Sequence, residues 1–253
     1  MRLNSSSCAK ALLLAVALSG AVAAEPNVLT TQESADGWRL LFDGKSFAGW
    51  TGMRGYPLPT RSWQVEDGMI RTTEDRVGGD LRTVEVFDDY ELSWEWKISE
   101  RGNSGVKYVV QEDWPVTSYK PGHDEARKEQ YRRFASGFEY QISDDTRWDK
   151  SKPGWEKSAC GALYLLYPAQ DKTVKPVGEW NTSRIVVRGN HAEHWLNGKK
   201  VVEFEMGSAD LLERVTHTKF RTLANYGTKG PGPIVLQHHG SPAWFRNIKI
   251  RTF

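Results

Sequence analysis

A nine-residue run from Tyr90 to Ile98 alternates between apolar and polar residues, and this alternation restricts the fold more than any other feature of the chain. Leu92, Trp94 and Trp96 fall on one face of an extended segment, and the polar residues between them fall on the other. A period of two cannot build the apolar stripe of a helix, which needs a period near 3.6. The run therefore predicts a β-strand with one face in a core.

Turn dipeptides separate further runs of this kind. Asp67-Gly68 and Asn197-Gly198 each lie between two short runs, and both are strong hairpin signals. Other predicted strands are 105–110, 137–142, 161–166, 185–187, 234–239 and 244–250. Two polar segments, 123–135 and 210–215, predict short helices at the edge, the second with Ser208 as its N-cap. The pattern is typical of an all-β jelly-roll sandwich of two antiparallel sheets with short helical excursions.

The first 24 residues have the composition of a signal peptide. Arg2 and Lys10 precede the apolar run 11–18, and small residues at 22–24 would permit cleavage before Glu25. The alternative is an uncleaved membrane anchor, for which the apolar run is short. We expect an exported protein, periplasmic or secreted, with a signal peptide at 1–24, a short segment at 25–35 and a single domain at 36–253.

Charge and cysteine content limit the partners. Residues 1–24 carry two basic residues and no acidic one, so their removal leaves equal numbers of basic and acidic residues. This balance does not indicate binding to nucleic acid or to an anionic membrane surface. The same removal takes away Cys8 and leaves Cys160 alone, so no intramolecular disulfide can form. Apolar neighbours favour a buried, inert role for Cys160.

Histidine and glutamate side chains recur at strand positions that would face away from the core. Glu139 and Gln141 share one face of the predicted strand 137–142, and Gln237 and His239 share a face near the chain end. His194 and Glu95 lie in two other strands. Each could simply be a solvated or structural residue. Together they could bind a metal or act as acid and base.

Several linear catalytic motifs are absent from the sequence. It contains no Gly-x-Ser-x-Gly elbow, P-loop or His-Glu-x-x-His motif. It also lacks the closely spaced Glu-x-Asp-x-Glu motif of laminarinase-type glycosidases, which argues against a retaining two-carboxylate mechanism of that kind.

Blocks along almost the whole domain resemble the 3-keto-disaccharide hydrolase family. In order, they are LFDGKSFAGW at 41–50, GNSGVKY at 102–108, GFEYQI at 137–142, GALY at 161–164, GEWN at 178–181, HWLNG at 194–198, LQHHG at 236–240 and FRNI at 245–248. The resemblance implies a concanavalin A-like fold, an exported location and a small-molecule sugar substrate oxidised at C3. The segment 112–136 is longer than the family pattern and could reshape a rim of the site.

The resemblance also implies a reaction. A ketone at C3 acidifies the proton on C2, so a base can remove it and the C1 substituent can leave by elimination. Addition of water then gives net hydrolysis. A divalent metal ion could hold the enolate oxygen.

Candidate roles follow from this chemistry. We expect Glu139, His194 and His239 to act as catalytic residues, with Glu139 and His239 as metal ligands. The expected substrate-binding residues are Glu95, Asn103, Lys107, Tyr108, Gln141, Gln237 and Arg246. For Arg246, a structural ion pair is an equal alternative. A non-catalytic carbohydrate-binding module and an interaction domain of the cell envelope are the two rival functions.

Overall fold

A computed structural model describes residues 25–75, 78–114 and 122–253. The expected signal peptide, 1–24, lies outside the described residues. The segment 25–35 ends in a short helix whose N-cap, Thr30, forms a capping box with Glu33. No helix in the described ranges has the length and apolar character needed to cross a membrane.

The chain forms thirteen strands and three α-helices over these residues. The strands are β1 Arg39–Leu40, β2 Trp50–Gly52, β3 Trp63–Glu66, β4 Met69–Thr72, β5 Leu81–Thr83, β6 Tyr90–Ile98, β7 Asn103–Tyr108, β8 Phe138–Ser143, β9 Asn181–Arg188, β10 His191–Leu196, β11 Lys199–Glu205, β12 Val235–Leu236 and β13 Ala243–Thr252. The helices are α1 Thr31–Ala35, α2 Glu125–Tyr131 and α3 Ala209–Thr216, and 3₁₀ turns occur at Met53–Gly55, Asp145–Arg147, Trp155–Ser158 and Lys219–Thr222.

Two antiparallel sheets pack face to face. The larger sheet has the strand order β11-β10-β9-β6-β13-β4-β3, with β1 added against β13, and the smaller has the order β2-β5-β12-β7-β8. Neighbours in each sheet are often distant in the sequence, as expected for a jelly roll. The predicted fold class is confirmed.

The alternating strand β6 lies at the centre of the larger sheet, and its apolar face is buried. Trp94 and Trp96 are 1% and 0% exposed. Trp94 meets Tyr140 of the other sheet edge to face, with ring centroids 5.1 Å apart. The Tyr140 hydroxyl accepts a hydrogen bond from Ser183 at 2.8 Å and donates one to the carbonyl of Trp195 at 3.2 Å. Tyr140 therefore joins the two sheets through both its ring and its hydroxyl.

Both hairpins and both predicted helices are confirmed. The Asp67-Gly68 turn joins β3 to β4, and the Asn197-Gly198 turn joins β10 to β11. The α3 helix begins after Ser208, whose hydroxyl accepts a hydrogen bond from the Leu211 amide. Cys160 is fully buried and free, and burial raises the pKa of its thiol to about 12, as expected for an inert residue.

Three strand predictions were wrong in extent or in kind. The predicted strand 105–110 ends at Tyr108, because Val109 has a left-handed backbone angle (φ 51°). The segment 161–166 is not a strand but a series of turns with isolated bridges, because Gly161 and Leu165 adopt left-handed backbone angles (φ 81° and 66°) that an extended strand excludes. The predicted strand 234–239 is reduced to the two residues of β12. The amide of Gln237 still donates to the carbonyl of Gly105 in β7, and the amide of His238 then donates to the Asp80 side chain instead of to a strand.

The contact between Trp94 and Tyr140 predicts a large effect on stability. Replacing Trp94 with Ala should lower the free energy of unfolding by about 3–5 kcal/mol, because the cavity lies between the two sheets. Urea denaturation followed by circular dichroism would measure it. Ser93→Ala, on the opposite face of the same strand, is the matched control and should change stability by no more than about 0.5 kcal/mol. Equal effects of the two substitutions would contradict the packing described here.

Candidate active site

A cleft of about 310 Å³ opens on the face of the smaller sheet that is turned away from the core. This volume lies at the lower end of the range of small-ligand sites, about 300–1,000 Å³. Its floor is formed by alternate residues of β7 and β8 and by the residue that follows β12: Asn103, Lys107, Glu139, Gln141 and Gln237. The intervening residues of the same strands, such as Tyr108 and Phe138, face the core. The pleat therefore gives these strands one apolar and one polar face, both removed from solvent.

Strand register brings the acidic residue of the floor opposite a cation. In the β7–β8 pair, Lys107 is the partner of Glu139 and Gly105 is the partner of Gln141. A Cβ atom at position 105 would lie 3.0 Å from Oε1 of Glu139. Glycine at this position thus leaves room for the Glu139 carboxyl group to lie across the floor.

Glu139 is 7% exposed, and burial raises the pKa of its carboxyl group. The charges of Lys107 and Lys219 oppose this rise, and Nε2 of Gln237 donates a hydrogen bond to Oε1 at 3.1 Å. A carboxyl group with a raised pKa in a cleft has the properties of a general base or acid.

A buried ion pair fixes the floor to one wall. Nζ of Lys107 lies 2.9 Å from Oδ2 of Asp80 and donates to the carbonyl of Ala135 at 3.0 Å. Asp80 also accepts hydrogen bonds from the backbone amides of Ala135 and His238, both at 2.9 Å. The Asp80 carboxylate thereby ties β7 to the segments on either side of the cleft.

Two amide side chains of the floor have oxygen atoms that accept no hydrogen bond from the residues the structure describes. Gln141 donates from Nε2 to Oδ1 of Asn103 at 2.6 Å. The Oε1 atoms of Gln141 and Gln237 are buried, and neither accepts a hydrogen bond within the described part of the chain. A buried acceptor without a donor is costly, so both atoms suit a ligand that brings hydroxyl donors or a cation.

Lys219 and Tyr164 complete the cleft near Glu139. Lys219 is exposed as a residue, but its ammonium nitrogen lies 5.1 Å from the Tyr164 ring centroid, and loss of hydration there lowers its pKa. Burial, together with the charge of Glu139, raises the pKa of Tyr164 to about 12. Sequence reasoning missed both residues, since Lys219 follows a surface helix and Tyr164 lies in the segment mispredicted as a strand.

The structure brings six of the ten predicted site residues to this cleft: Asn103, Lys107, Glu139, Gln141, Gln237 and His239. His239 is exposed at the rim. His194 and Tyr108 lie instead between the sheets. His194 is fully buried, donates from Nδ1 to the carbonyl of Gly161 at 3.1 Å and accepts from the Tyr108 hydroxyl at 2.7 Å. Burial lowers the pKa of His194 to about 4, so it is a neutral core residue.

Glu95 and Arg246 are also distant from the cleft, because they occupy the outer face of the larger sheet. Nε of Arg246 lies 2.7 Å from Oε2 of Glu95, and Asn247 donates to Oε1 at 2.8 Å. The guanidinium group of Arg246 also lies 4.0 Å from the Trp180 ring centroid. These contacts match the structural ion pair that was the alternative for Arg246.

Metal ligation requires several donor atoms that lie close to one another. Within the described ranges, one group of three histidine, cysteine or acidic residues has ligand atoms within 4.8 Å of one another, namely His191, Glu193 and Glu203. It lies on the outer face of the larger sheet, where Lys200 already forms ion pairs with Glu193 at 3.2 Å and Glu203 at 2.6 Å. This group is separate from the cleft, so it does not include the predicted ligands Glu139 and His239.

The cleft itself offers a different donor set. Glu139 and His239 both line it, and the unused Oε1 atoms of Gln141 and Gln237 lie in its floor. Carboxylate and amide oxygens are the ligands that hard divalent cations prefer. The residues present therefore fit such an ion, and they equally fit the hydroxyl groups of a sugar.

Known proteins resemble this chain over nearly its whole length. The family model of the 3-keto-alpha-glucoside-1,2-lyase-like domain matches residues 37–251. A 3-keto-disaccharide hydrolase of Bacteroides thetaiotaomicron is 35% identical over 249 residues, which cover 91% of this chain and 83% of that protein. The crystal structure of a putative glycosyl hydrolase from Parabacteroides distasonis has a TM-score of 0.72 at 35% identity and covers 90% of this chain and 100% of its own. The crystal structure of a second putative glycosyl hydrolase from the same organism has a TM-score of 0.59 at 29% identity and covers 85% of this chain and 99% of its own.

The jelly-roll sandwich, its polar cleft and these relatives together define the class of the protein, which is a glycoside-cleaving enzyme. The chain belongs to the 3-keto-alpha-glucoside-1,2-lyase-like domain family. The resemblance found in the sequence blocks is confirmed.

The electrostatics of the cleft predict how Glu139 titrates. Lys219→Met should raise the pKa of Glu139 further, because it removes a positive charge that favours the ionised carboxylate. Lys219→Arg retains the charge and is the matched control. Carbon-13 NMR of the labelled Glu139 carboxyl group over a pH series would measure the shift. An unchanged or lowered pKa in Lys219→Met would contradict this description of the site.

Proposed function

We propose that the protein cleaves the glycosidic bond of sugars that carry a ketone at C3, with Glu139 as the base that removes the C2 proton. The observation that carries this proposal is the buried Glu139 carboxyl group with its raised pKa, held in a polar cleft beside two lysines. The Bacteroides relative is a 3-keto-disaccharide hydrolase, which supports the choice of substrate class.

The proposed reaction uses a proton that the ketone has already made acidic. The Glu139 carboxylate accepts the proton from C2, and the electron pair of the C–H bond forms an enolate across C2 and C3. Collapse of the enolate restores the ketone, forms a double bond between C1 and C2 and breaks the bond from C1 to the leaving oxygen, which takes up a proton. Water then adds hydroxide to C1 and a proton to C2, so the net result is hydrolysis.

The surrounding side chains suit the charge that develops. Negative charge moves from Glu139 to the enolate oxygen, and the Lys219 ammonium group is near enough to favour ionisation of Glu139. A fixed positive charge in a site removed from water stabilises such an oxyanion strongly. The floor amides and Lys107, which is held by Asp80, would orient the sugar hydroxyls.

We also propose that the cleft binds a divalent cation. Glu139 and His239, with amide oxygens of the floor, are the residues that would hold it. A bound divalent cation would supply Lewis-acid stabilisation of the ketone oxygen. The positive charge of the Lys219 ammonium group would also stabilise the ketone oxygen.

Removal of the base should abolish the reaction. Glu139→Gln keeps the size and a hydrogen-bonding group but cannot accept the proton, so turnover of methyl 3-keto-glucoside should fall by at least about 10²-fold. NMR of the products would follow the reaction. For the unaltered protein, kcat/KM should fall as the pH drops through the raised pKa of Glu139, because the protonated carboxyl group is not a base. Full turnover by Glu139→Gln would overturn the role of Glu139, and sugar binding without turnover by the unaltered protein would favour a carbohydrate-binding module.

The metal proposal has its own test. We expect dialysis against a chelator to reduce turnover of methyl 3-keto-glucoside, and addition of a divalent salt to restore it. Isothermal calorimetry with Mg²⁺, Ca²⁺ and Mn²⁺ on the protein and on His239→Ala would show whether the cleft holds the ion. Undiminished turnover after chelation would leave Lys107 and Lys219 as the sources of positive charge.

A further inference from the structure

We propose that α2 and the residues following it form a subsite for the leaving group, in which Arg127 and Gln130 hold the hydroxyl-bearing ring attached to C1 of the keto-sugar. This inference rests on the proposed function, since it assigns the second ring of the same substrate. It would make the enzyme selective for disaccharides over glycosides with a small leaving group.

The α2 helix has no buried residue, so core packing does not explain its position. Seven residues are too few for a stable isolated helix, and other contacts must therefore hold it. The guanidinium group of Arg54 donates to the carbonyls of Arg132 and Phe134, both at 2.7 Å. The Tyr56 hydroxyl contacts the Glu129 carboxylate. Polar contacts from the segment after β2 thus hold α2 and its C-terminal end at the cleft.

The side of α2 that lines the cleft is preorganised. Arg127 donates from Nη1 to Oε1 of Gln130 at 2.9 Å, and its guanidinium carbon lies 5.1 Å from the Tyr131 ring centroid. His123 stacks on Tyr131 with an angle of 13° between the ring planes. These contacts favour one orientation of the solvent-exposed Arg127 side chain and use only part of its five N–H donors. No ion pair satisfies Arg127 within the described ranges.

The distribution of charge separates this wall from the reacting centre. Lys107 lies in the floor directly opposite Glu139 in the β7–β8 register, whereas Arg127 belongs to α2. Arg127 lines the same cavity and is exposed to solvent, whereas Glu139 is buried. C1 is adjacent to C2 in the sugar ring, so a keto-sugar with C2 at Glu139 must direct its C1 substituent out from the floor. Guanidinium and amide donors on α2 match the hydroxyl groups of a second sugar, and the Tyr131 and Phe134 rings add apolar surface.

The test compares two substrates in matched variants. One substrate is 3-keto-trehalose, whose leaving group is a sugar. The other is methyl 3-keto-glucoside, whose leaving group is methanol. Arg127→Ala should lower kcat/KM for the disaccharide about tenfold, the typical value of a hydrogen bond to a charged group, and change that for the methyl glycoside less than about twofold. Lys128→Ala is the control, because Lys128 is on the same helix but pairs with Glu125 at 2.7 Å and does not line the cleft. Thermal melting would confirm that all variants fold.

The outcomes separate the two proposals. A loss confined to the disaccharide supports the subsite, whereas equal losses on both substrates, or none on either, overturn it. If the unaltered protein turns over neither substrate, the proposed function fails. The subsite is then decided by the Kd for trehalose from calorimetry: about tenfold weaker binding by Arg127→Ala than by Lys128→Ala supports it, and equal binding overturns it.

Discussion

The buried ion pair between Lys107 and Asp80 is the interaction on which the cleft depends. Asp80 accepts from the Lys107 ammonium group and from the backbone amides of Ala135 and His238, so one carboxylate links β7, the segment after α2 and the chain beyond β12. A buried ion pair is tolerated only when its remaining lone pairs are satisfied, and here two backbone amides satisfy them. The walls of the cleft are therefore held in register with its floor. The pair also places the Lys107 ammonium group opposite Glu139, where it lowers the pKa of the Glu139 carboxyl group while the neighbouring Asp80 carboxylate raises it.

The strands of the smaller sheet contribute one face to the core and the other face to the cleft. On one face, Tyr108 and Tyr140 pack against the larger sheet, and on the other, Glu139 and Gln141 form the cleft floor. Burial on both faces gives the site its electrostatic character, since it raises the pKa of Glu139 and leaves two amide oxygens without donors among the residues that the structure describes. A raised pKa makes the ionised Glu139 carboxylate a stronger base, and the buried amide acceptors suit the hydroxyl groups of a sugar. The packing of the smaller sheet therefore both positions the Glu139 carboxyl group and, by burying it, raises its pKa.

Local patterns in the sequence predicted the elements that local physics controls. The alternation in Tyr90–Ile98, the two hairpin turns and the Ser208 cap all have short-range causes, and each appears in the structure. A period-two alternation in the segment 137–142 likewise predicted that Glu139 and Gln141 share one polar face. Prediction failed where distant contacts override the pattern: the segment 161–166 follows left-handed turns, and His194, although in a polar-looking stretch, is enclosed between the sheets by Tyr108 and Gly161. Nothing near Lys219 in the sequence indicated that its ammonium group would face Glu139.

By itself, the sequence determined the all-β class, the family and the strand that carries Glu139, because these depend on period-two patterning, turn chemistry and ordered blocks that are readable residue by residue. Only the tertiary structure decided which polar residues share a site. Lys219, Tyr164 and residues of α2 line the same cleft as Glu139, whereas Glu95 and Arg246 lie on the opposite side of the sandwich. The physical reason is that a strand pattern specifies which face a side chain occupies, whereas strand order, register and the path of the loops specify which faces meet.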